Sequence, residues 1–394
     1  MISRYRITGS WLLKPLTAVL LPAALLTGCW DELDLTEQGY VSGLGIDYVD
    51  KRYVAYAQLI QFAAVAKTSS NRAGDPVAWV GRAEGKTVLG AISNLQKSSQ
   101  FVLNLEHMKV LIVQERALPH LDDILDANNR QRASRYTSFV FGTREKIDKL
   151  FNSGTFFGHS HLMSVMYNPK RQYEQSSYVR PLTMQEFVRG MDEKGITALL
   201  PSIGLVDGKW SKATDPLEVQ SYDGLFAFNN RNFRKFLPIE LSSGYRWIDP
   251  EFKHYILETE EAGSSEAHDP DDQGDATVSI DRSVPQITVN TDGARPQFKL
   301  NLHLQGHVIE LGGPMTEEEI KDAVKDQIKQ EIEATYQYAC REKIDLYLLG
   351  EQLYRNHLSY WRQLERTGGW VPREGELQID ISFDLVHTGK FDLT

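Results

Sequence analysis

Residues 377–385 carry the sharpest pattern in the chain: Leu377, Ile379, Ile381, Phe383 and Leu385 alternate with Gln378, Asp380, Ser382 and Asp384. Side chains of an extended strand point to opposite faces in turn, so this period of two makes a strand with one apolar face, and that face has to be covered. The cover is legible too. Thr316-Glu317-Glu318-Glu319 is a capping box, in which hydroxyl and carboxylate satisfy reciprocal backbone amides, and behind it Ile320, Val324, Ile328 and Ile332 recur on one helical face. Glu317 with Lys321, Asp322 with Lys325 and Asp326 with Lys329 line the solvated side. The pattern predicts a helix reaching about residue 349, roughly 50 Å long if straight, broken by Gly350 and laid across the terminal strand. Residues 284–290 and 297–310 predict a hairpin around Thr291-Asp292-Gly293 in the same unit. Tyr354, Leu358 and Trp361 mark a shorter helix before a turn at Gly368-Gly369.

Earlier in the chain, strands and helices alternate. Residues 39–46 and 53–65 read as a hairpin, 79–83 as a strand and 87–98 as a helix with Val88, Ile92 and Leu95 on one face. A strand over 107–113, a helix over 118–128 and a strand over 136–141 follow, which points to a mixed sheet covered by helices. The polar stretch 168–177 is a candidate boundary. Beyond it, Thr183-Met184-Gln185-Glu186 is a second capping box, opening a helix that Gly195 can stop, and residues 217–221, 224–228 and 233–237 read as strands. From residue 258 the chain turns acidic and loses all periodicity, so it has too little apolar surface to offset the entropy of ordering. The expected organisation is therefore a leader over 1–28, an N-terminal α/β-type domain over 29–170, a middle α+β domain over 175–260, an acidic linker over 261–276 and a C-terminal α+β domain over 277–394. The fold class is α+β, with mixed or antiparallel sheets covered by helices and a long helix packed on the last sheet.

The leader has its own logic. Arg4, Arg6 and Lys14 precede an apolar run over 16–26, and no acidic residue occurs among the first 28. Pro15, Pro22 and Gly28 bracket the run, which is too short for a stable spanning helix and reads as a secretory signal. Leu26-Thr27-Gly28-Cys29 has the form of a bacterial lipobox, in which the thiol takes a diacylglyceryl group and the chain is cut before Cys29. Removing three positive charges from a net charge of −10 leaves the processed chain near −13, which disfavours nucleic acid as a partner and gives an anionic bilayer no electrostatic hold. Lipid on Cys29 supplies the membrane affinity instead. It also leaves Cys340, the second of two cysteines, without an intrachain disulfide partner; within a helical pattern it reads as a small buried hydrophobe.

Fragments of catalytic and binding motifs fail their full requirements. Gly43-Leu44-Gly45 lacks the third glycine of a dinucleotide fingerprint, where Tyr48 stands, and reads as two glycines easing a strand past close neighbours. Asp269-Pro270-Asp271-Asp272-Gln273-Gly274 resembles a calcium loop but has Ile280 where a bidentate Glu is needed. Gly158-His159-Ser160-His161-Leu162 lacks the closing glycine of a nucleophile elbow; His159 and His161 offer two zinc ligands on one face of a strand, with no third evident. No residue is assigned a catalytic, cofactor-binding or metal-ligating role, and the ligand-binding residues stay unknown.

An ordered set of motifs nevertheless resembles one family, the C subunits of spore nutrient germinant receptors, known as Ger(x)C lipoproteins. It runs from Gly28-Cys29-Trp30-Asp31 through Val41-Ser42-Gly43-Leu44-Gly45-Ile46-Asp47, Glu84-Gly85-Lys86-Thr87 and Glu106-His107-Met108-Lys109-Val110. It ends with residues 344–353, Tyr354-Arg355, Tyr360-Trp361 and Thr388-Gly389. Departures are local: Glu32-Leu33-Asp34-Leu35 replaces a more basic stretch, and the acidic linker is longer than usual. The resemblance implies a three-domain α+β protein, lipid-anchored through Cys29 on the outer face of the spore inner membrane. It further implies A-type and B-type membrane subunits as partners, no cofactor and no enzymatic activity. The alternative is a solute-binding lipoprotein that captures a nutrient for a transporter, although such proteins have two similar lobes where this chain has dissimilar units.

Overall fold

Two sheets organise the described chain, one of ten strands and one of four. The computed structural model describes residues 38–59, 78–130, 136–259 and 275–386. Strands β1 (Gln38–Val49) and β2 (Arg52–Leu59) form the expected hairpin. Its turn is tighter than the sequence suggests, because Asp50 and Lys51 both take positive φ, the geometry that matches strand twist in a two-residue loop. The rest of the strand expected over 53–65 lies outside the described residues. β3 (Trp79–Gly85) pairs with β2, and α1 (Val88–Ser98) follows with Thr87 as its cap, the Gly90 amide donating to the Thr87 hydroxyl at 3.0 Å. β4 (Val102–Asn104) lies parallel to the start of β1, and β5 (Val110–Gln114) parallel to its middle.

The helix expected over 118–128 is two pieces, a 3-10 turn over Glu115–His120 containing Pro119 and then α2 (Leu121–Asn129). After β6 (Phe139–Thr143) come α3 (Ile147–Phe151) and α4 (Pro169–Gln175), the latter starting on the proline of the predicted boundary stretch. β7 (Leu182–Thr183) leads into α5 (Met184–Asp192), whose capping box forms as read from Thr183 and Glu186. β8 (Thr197–Lys212), β9 (Asp215–Asn229) and β10 (Asn232–Pro238) then join the sheet begun by β1. The order is β10-β9-β8-β6-β5-β1-β2-β3, with β1, β5, β6 and β8 parallel in the centre and antiparallel hairpins on both flanks. The strands predicted at 217–221 and 224–228 are one continuous strand.

The second sheet has the order β11 (Tyr255–Thr259), β12 (Ala276–Asn290), β13 (Gln297–Leu311), β14 (Leu377–Leu385), reached through α6 (Ile239–Ser242) and a 3-10 turn over Ser243–Ile248. β14 runs parallel to β13, so the helices between them form a crossover. The long helix, α7 (Glu317–Glu342), buries Ile320, Val324, Ile328 and Ile332 as predicted and packs on the sheet with Ile379 and Phe383 of β14 in the same core. It is shorter than the sequence pattern suggests. Lys343 adopts a left-handed conformation that ends it, the Ile344 amide turning back to the Ala339 carbonyl at 3.0 Å. Its 26 residues span about 39 Å, and Gly350 lies inside the next helix, α8 (Leu349–Asn356), rather than breaking the first. α9 (Leu358–Arg366) follows.

One face of the large sheet packs on α1, α2 and α5, enclosing Leu44, Ile46, Leu111, Phe187 and Phe228. The other face is continuous with the second unit: Ile112, Phe141 and Phe151 share a core with Trp247, Leu300 and Ile332. Gly244 makes this contact close, since a Cβ there would sit 2.6 Å from the Glu331 carbonyl oxygen of α7. The Trp247 indole donates to Glu331 Oε2 at 2.8 Å beside it.

Candidate functional site

The motif around β1 builds a tightly packed frame. A Cβ on Gly43 would stand 2.6 Å from the Tyr167 hydroxyl and one on Gly45 2.4 Å from Ile147 Cγ2, so the two glycines do ease the strand past close neighbours. Between them and β2 lies a buried polar network. The Ser42 hydroxyl donates to the Gln58 carbonyl at 3.1 Å, the Tyr167 hydroxyl to Gln58 Oε1, and Gln58 Nε2 to the Phe151 carbonyl at 2.7 Å. Every group there is paired, as burial demands. Asp47 ends the motif with a bidentate hold on Arg116, both contacts at 2.6 Å. The second motif works likewise: Gly85 lets α1 start against β3, where a Cβ would fall 2.2 Å from the Ala91 amide nitrogen. In the third, the Lys109 amide donates to the Ser42 carbonyl at 2.8 Å, and its carbonyl accepts from the Phe139 amide at 2.8 Å, tying β5 into both neighbours.

The motif over 344–353 builds the joint between the two sheets. Gly195, at φ +76°, and Gly350 approach so closely that a Cβ on either would lie within 2.8 Å of the other's carbonyl oxygen. Asp345 caps α8 by accepting from the Leu349 amide at 3.0 Å and the Gly350 amide at 2.7 Å. Burial pushes its pKa up to about 7 against the amides of Gly350, Leu349 and Tyr347, which favour the carboxylate. Beside this contact a cleft of about 420 Å³ opens between α5, the start of β8, Tyr245 and α8. Its charged rim is balanced, with Arg180, Arg189 and Arg355 against Glu186, Glu193 and Glu351. Arg355 bridges to Glu193 at 2.9 Å and Glu351 at 2.6 Å, pinning α8 to the loop after α5. Burial raises the Glu351 carboxyl; it acts the same way on Glu186, but the Thr183 hydroxyl and amide hold that group below its usual range.

The predicted site residues fare unevenly. Cys29, Trp30 and Asp31 lie outside the described residues, as do residues 269–274 and Thr388-Gly389. Cys340 sits half-buried on α7, and burial pushes its thiol up to about 11, so it is a poor nucleophile. His159 and His161 are not on a strand: Phe156–Gly158 and His161–Met163 form short 3-10 turns, because Phe157 at φ 57° bends the chain there. Among the described residues no group of three or more His, Cys, Asp or Glu is arranged to hold a metal ion. Ser279, His254 and Asp281 come together, but hydroxyl and carboxylate both approach the same ring nitrogen, His254 Nδ1, at 3.2 and 3.4 Å. A triad needs them on opposite nitrogens. Sequence reasoning missed Asp345, although a lone acid inside the apolar run 344–349 was the available signal.

Fold and sites together define a two-sheet α+β protein whose sequence motifs hold its frame and its joint. Two family models match it in order: the spore germination protein N-terminal domain over residues 31–205 and the spore germination B3/GerAC-like C-terminal domain over residues 223–389. The chain belongs to the Ger(x)C family of spore germination proteins. Spore germination protein KC of Bacillus subtilis (strain 168) is 23% identical over 387 residues, covering 92% of each chain. Spore germination protein B3 of the same organism is 20% identical over 392 residues, covering 92% of this chain and 95% of the other. The crystal structure of the GerBC protein shares the fold, with a TM-score of 0.53 and 15% identity over 88% of this chain and 97% of that one.

Proposed function

We propose that this chain is a non-enzymatic, lipid-anchored subunit of a spore nutrient germinant receptor. The observation that carries the reading is the near full-length match to spore germination proteins KC and B3. Cys29 carries the diacylglyceryl anchor, which places the body on the outer face of the spore inner membrane. There it works with the A-type and B-type membrane subunits, so its surfaces act by association. The family motifs support this division of labour, since those described here serve the frame and the joint. The three-domain division at 170–175 and 261–276 belongs to the same proposal, with the middle domain lending β8, β9 and β10 to the first domain's sheet and β11 to the last domain's.

The test is genetic. In a strain lacking redundant paralogues, removing the chain abolishes germination through its nutrient receptor and leaves a non-nutrient trigger intact. Normal nutrient germination in that strain refutes the reading. Calorimetry of the purified protein against amino acids, sugars and nucleosides addresses the nutrient-capture alternative, which requires a dissociation constant at or below about 1 mM.

A further inference from the structure

The end of the large sheet at which β1 begins exposes three large apolar side chains. Trp79 is 62% exposed, Val102 61% and Phe101 44%. They share one end of the sheet, Phe101 and Val102 on opposite faces of it: Val102 pairs with Gln38 across β4 and β1, a Cβ on Gly39 would lie 3.1 Å from Phe101 Cβ, and Trp79 pairs with Leu59, which itself pairs with Val41. Adjacent strands are about 4.8 Å apart, so the patch runs across four strand ends. Over residues 97–109 the exposed charges are Lys97, Glu106 and Lys109, so this stretch is not acidic although the whole chain carries −10.

Chain length bounds how far this end can stand from a lipid on Cys29. Gln38 is nine residues from Cys29, a reach of roughly 30 Å even when fully extended. A second aromatic patch lies elsewhere on the sheet. Phe157, 92% exposed, and Trp210, 56% exposed, gather with Phe156 near the far end of β8. β1 and β8 run in the same direction through β5 and β6, so that patch is at the opposite end of the sheet, away from the tether.

We infer that Trp79, Phe101 and Val102 form a second membrane contact, seating the tethered end of the large sheet in the headgroup and upper acyl region of the bilayer. Indole and phenyl rings favour this zone, and an acyl anchor is strengthened by a second apolar or basic contact. The inference rests on lipidation of Cys29, which raises the local concentration of bilayer at this end alone.

The processed, lipidated protein reconstituted in phosphatidylcholine–phosphatidylglycerol vesicles tests it. A small fluorophore is placed at Val102→Cys, at Trp79→Cys or, as the far-end control, at Trp210→Cys, each with Cys340→Ala; circular dichroism checks the fold. Acyl-brominated lipid should quench the labels at 102 and 79 at least twofold more than the label at 210, with the reverse order for aqueous iodide. Equal iodide quenching at all three sites overturns the inference. So does protection of 102 from iodide in spore membranes but not in pure-lipid vesicles, which assigns the patch to a protein partner. Mass spectrometry of the N-terminal peptide separates the two failures: a peptide without the diacylglyceryl mass sinks the anchor itself, whereas a lipidated chain with a wet label at 102 sinks only the second contact.

Discussion

The frame around β1 and the joint at α8 both depend on glycine, but they respond to different variables. In the frame, Gly43 and Gly45 admit side chains and Gly85 admits a helix start, all within one sheet and its covering helices, and the polar groups there are paired and enclosed. In the joint, Gly195 and Gly350 bring two backbones together across separate units, beside a carboxyl that burial makes titratable near neutrality. Size governs the first region. A proton and a set of charges bear on the second, so the strength of the joint should change with pH.

Four changes break or sharpen that contrast. Gly85→Ala drives a Cβ into the Ala91 backbone, which cannot yield cheaply, and should cost about 3 kcal/mol in denaturant unfolding. Asp345 has a folded-state pKa raised toward 7 from an ordinary 3.8. Its protonated form is therefore favoured by folding, and its contribution is full below about pH 4 and lost as pH rises through 7. Stability should fall on the order of 1 to 2 kcal/mol between pH 5 and 7, and Asp345→Asn should flatten that slope while the frame variant keeps it. Gly350→Ala, whose Cβ meets the Gly195 carbonyl at 2.8 Å, should cost about 1 to 2 kcal/mol and raise hydrogen exchange in α8 before exchange in β1. Arg355→Ala removes an exposed bridge to Glu193 and a half-buried one to Glu351, and should cost about 0.5 to 1 kcal/mol, the Glu193 part fading with salt. Equal effects of all four on exchange in both regions would show that frame and joint unfold as one.

Much of the fold is legible in the sequence where local signals and tertiary needs coincide. Both capping boxes form, the alternating strand buries Ile379, Phe383 and Leu385, and the glycines of β1 do what their neighbours require. β8 escaped notice because Pro201, Gly204 and Gly208 interrupt its pattern, and only pairing with β9 reveals the strand. The end of α7 was misplaced for a similar reason: residues 344–349 are apolar enough to continue a helix, but Lys343 and Leu348 both take left-handed conformations to seat Asp345 under α8. The joint itself was unreadable, since Gly195 and Gly350 are 155 residues apart by number and neither has a side chain to advertise the contact.

The proposed role of the chain is that of an anchored partner of membrane subunits. Affinity purification of the tagged chain from gently solubilised spore membranes, with Cys29 intact and as Cys29→Ala, tests it most directly. A-type and B-type subunits should travel with the intact chain, and Cys29→Ala should lower the recovery of all three together. A lipidated, folded chain that leaves the membrane without them would contradict it.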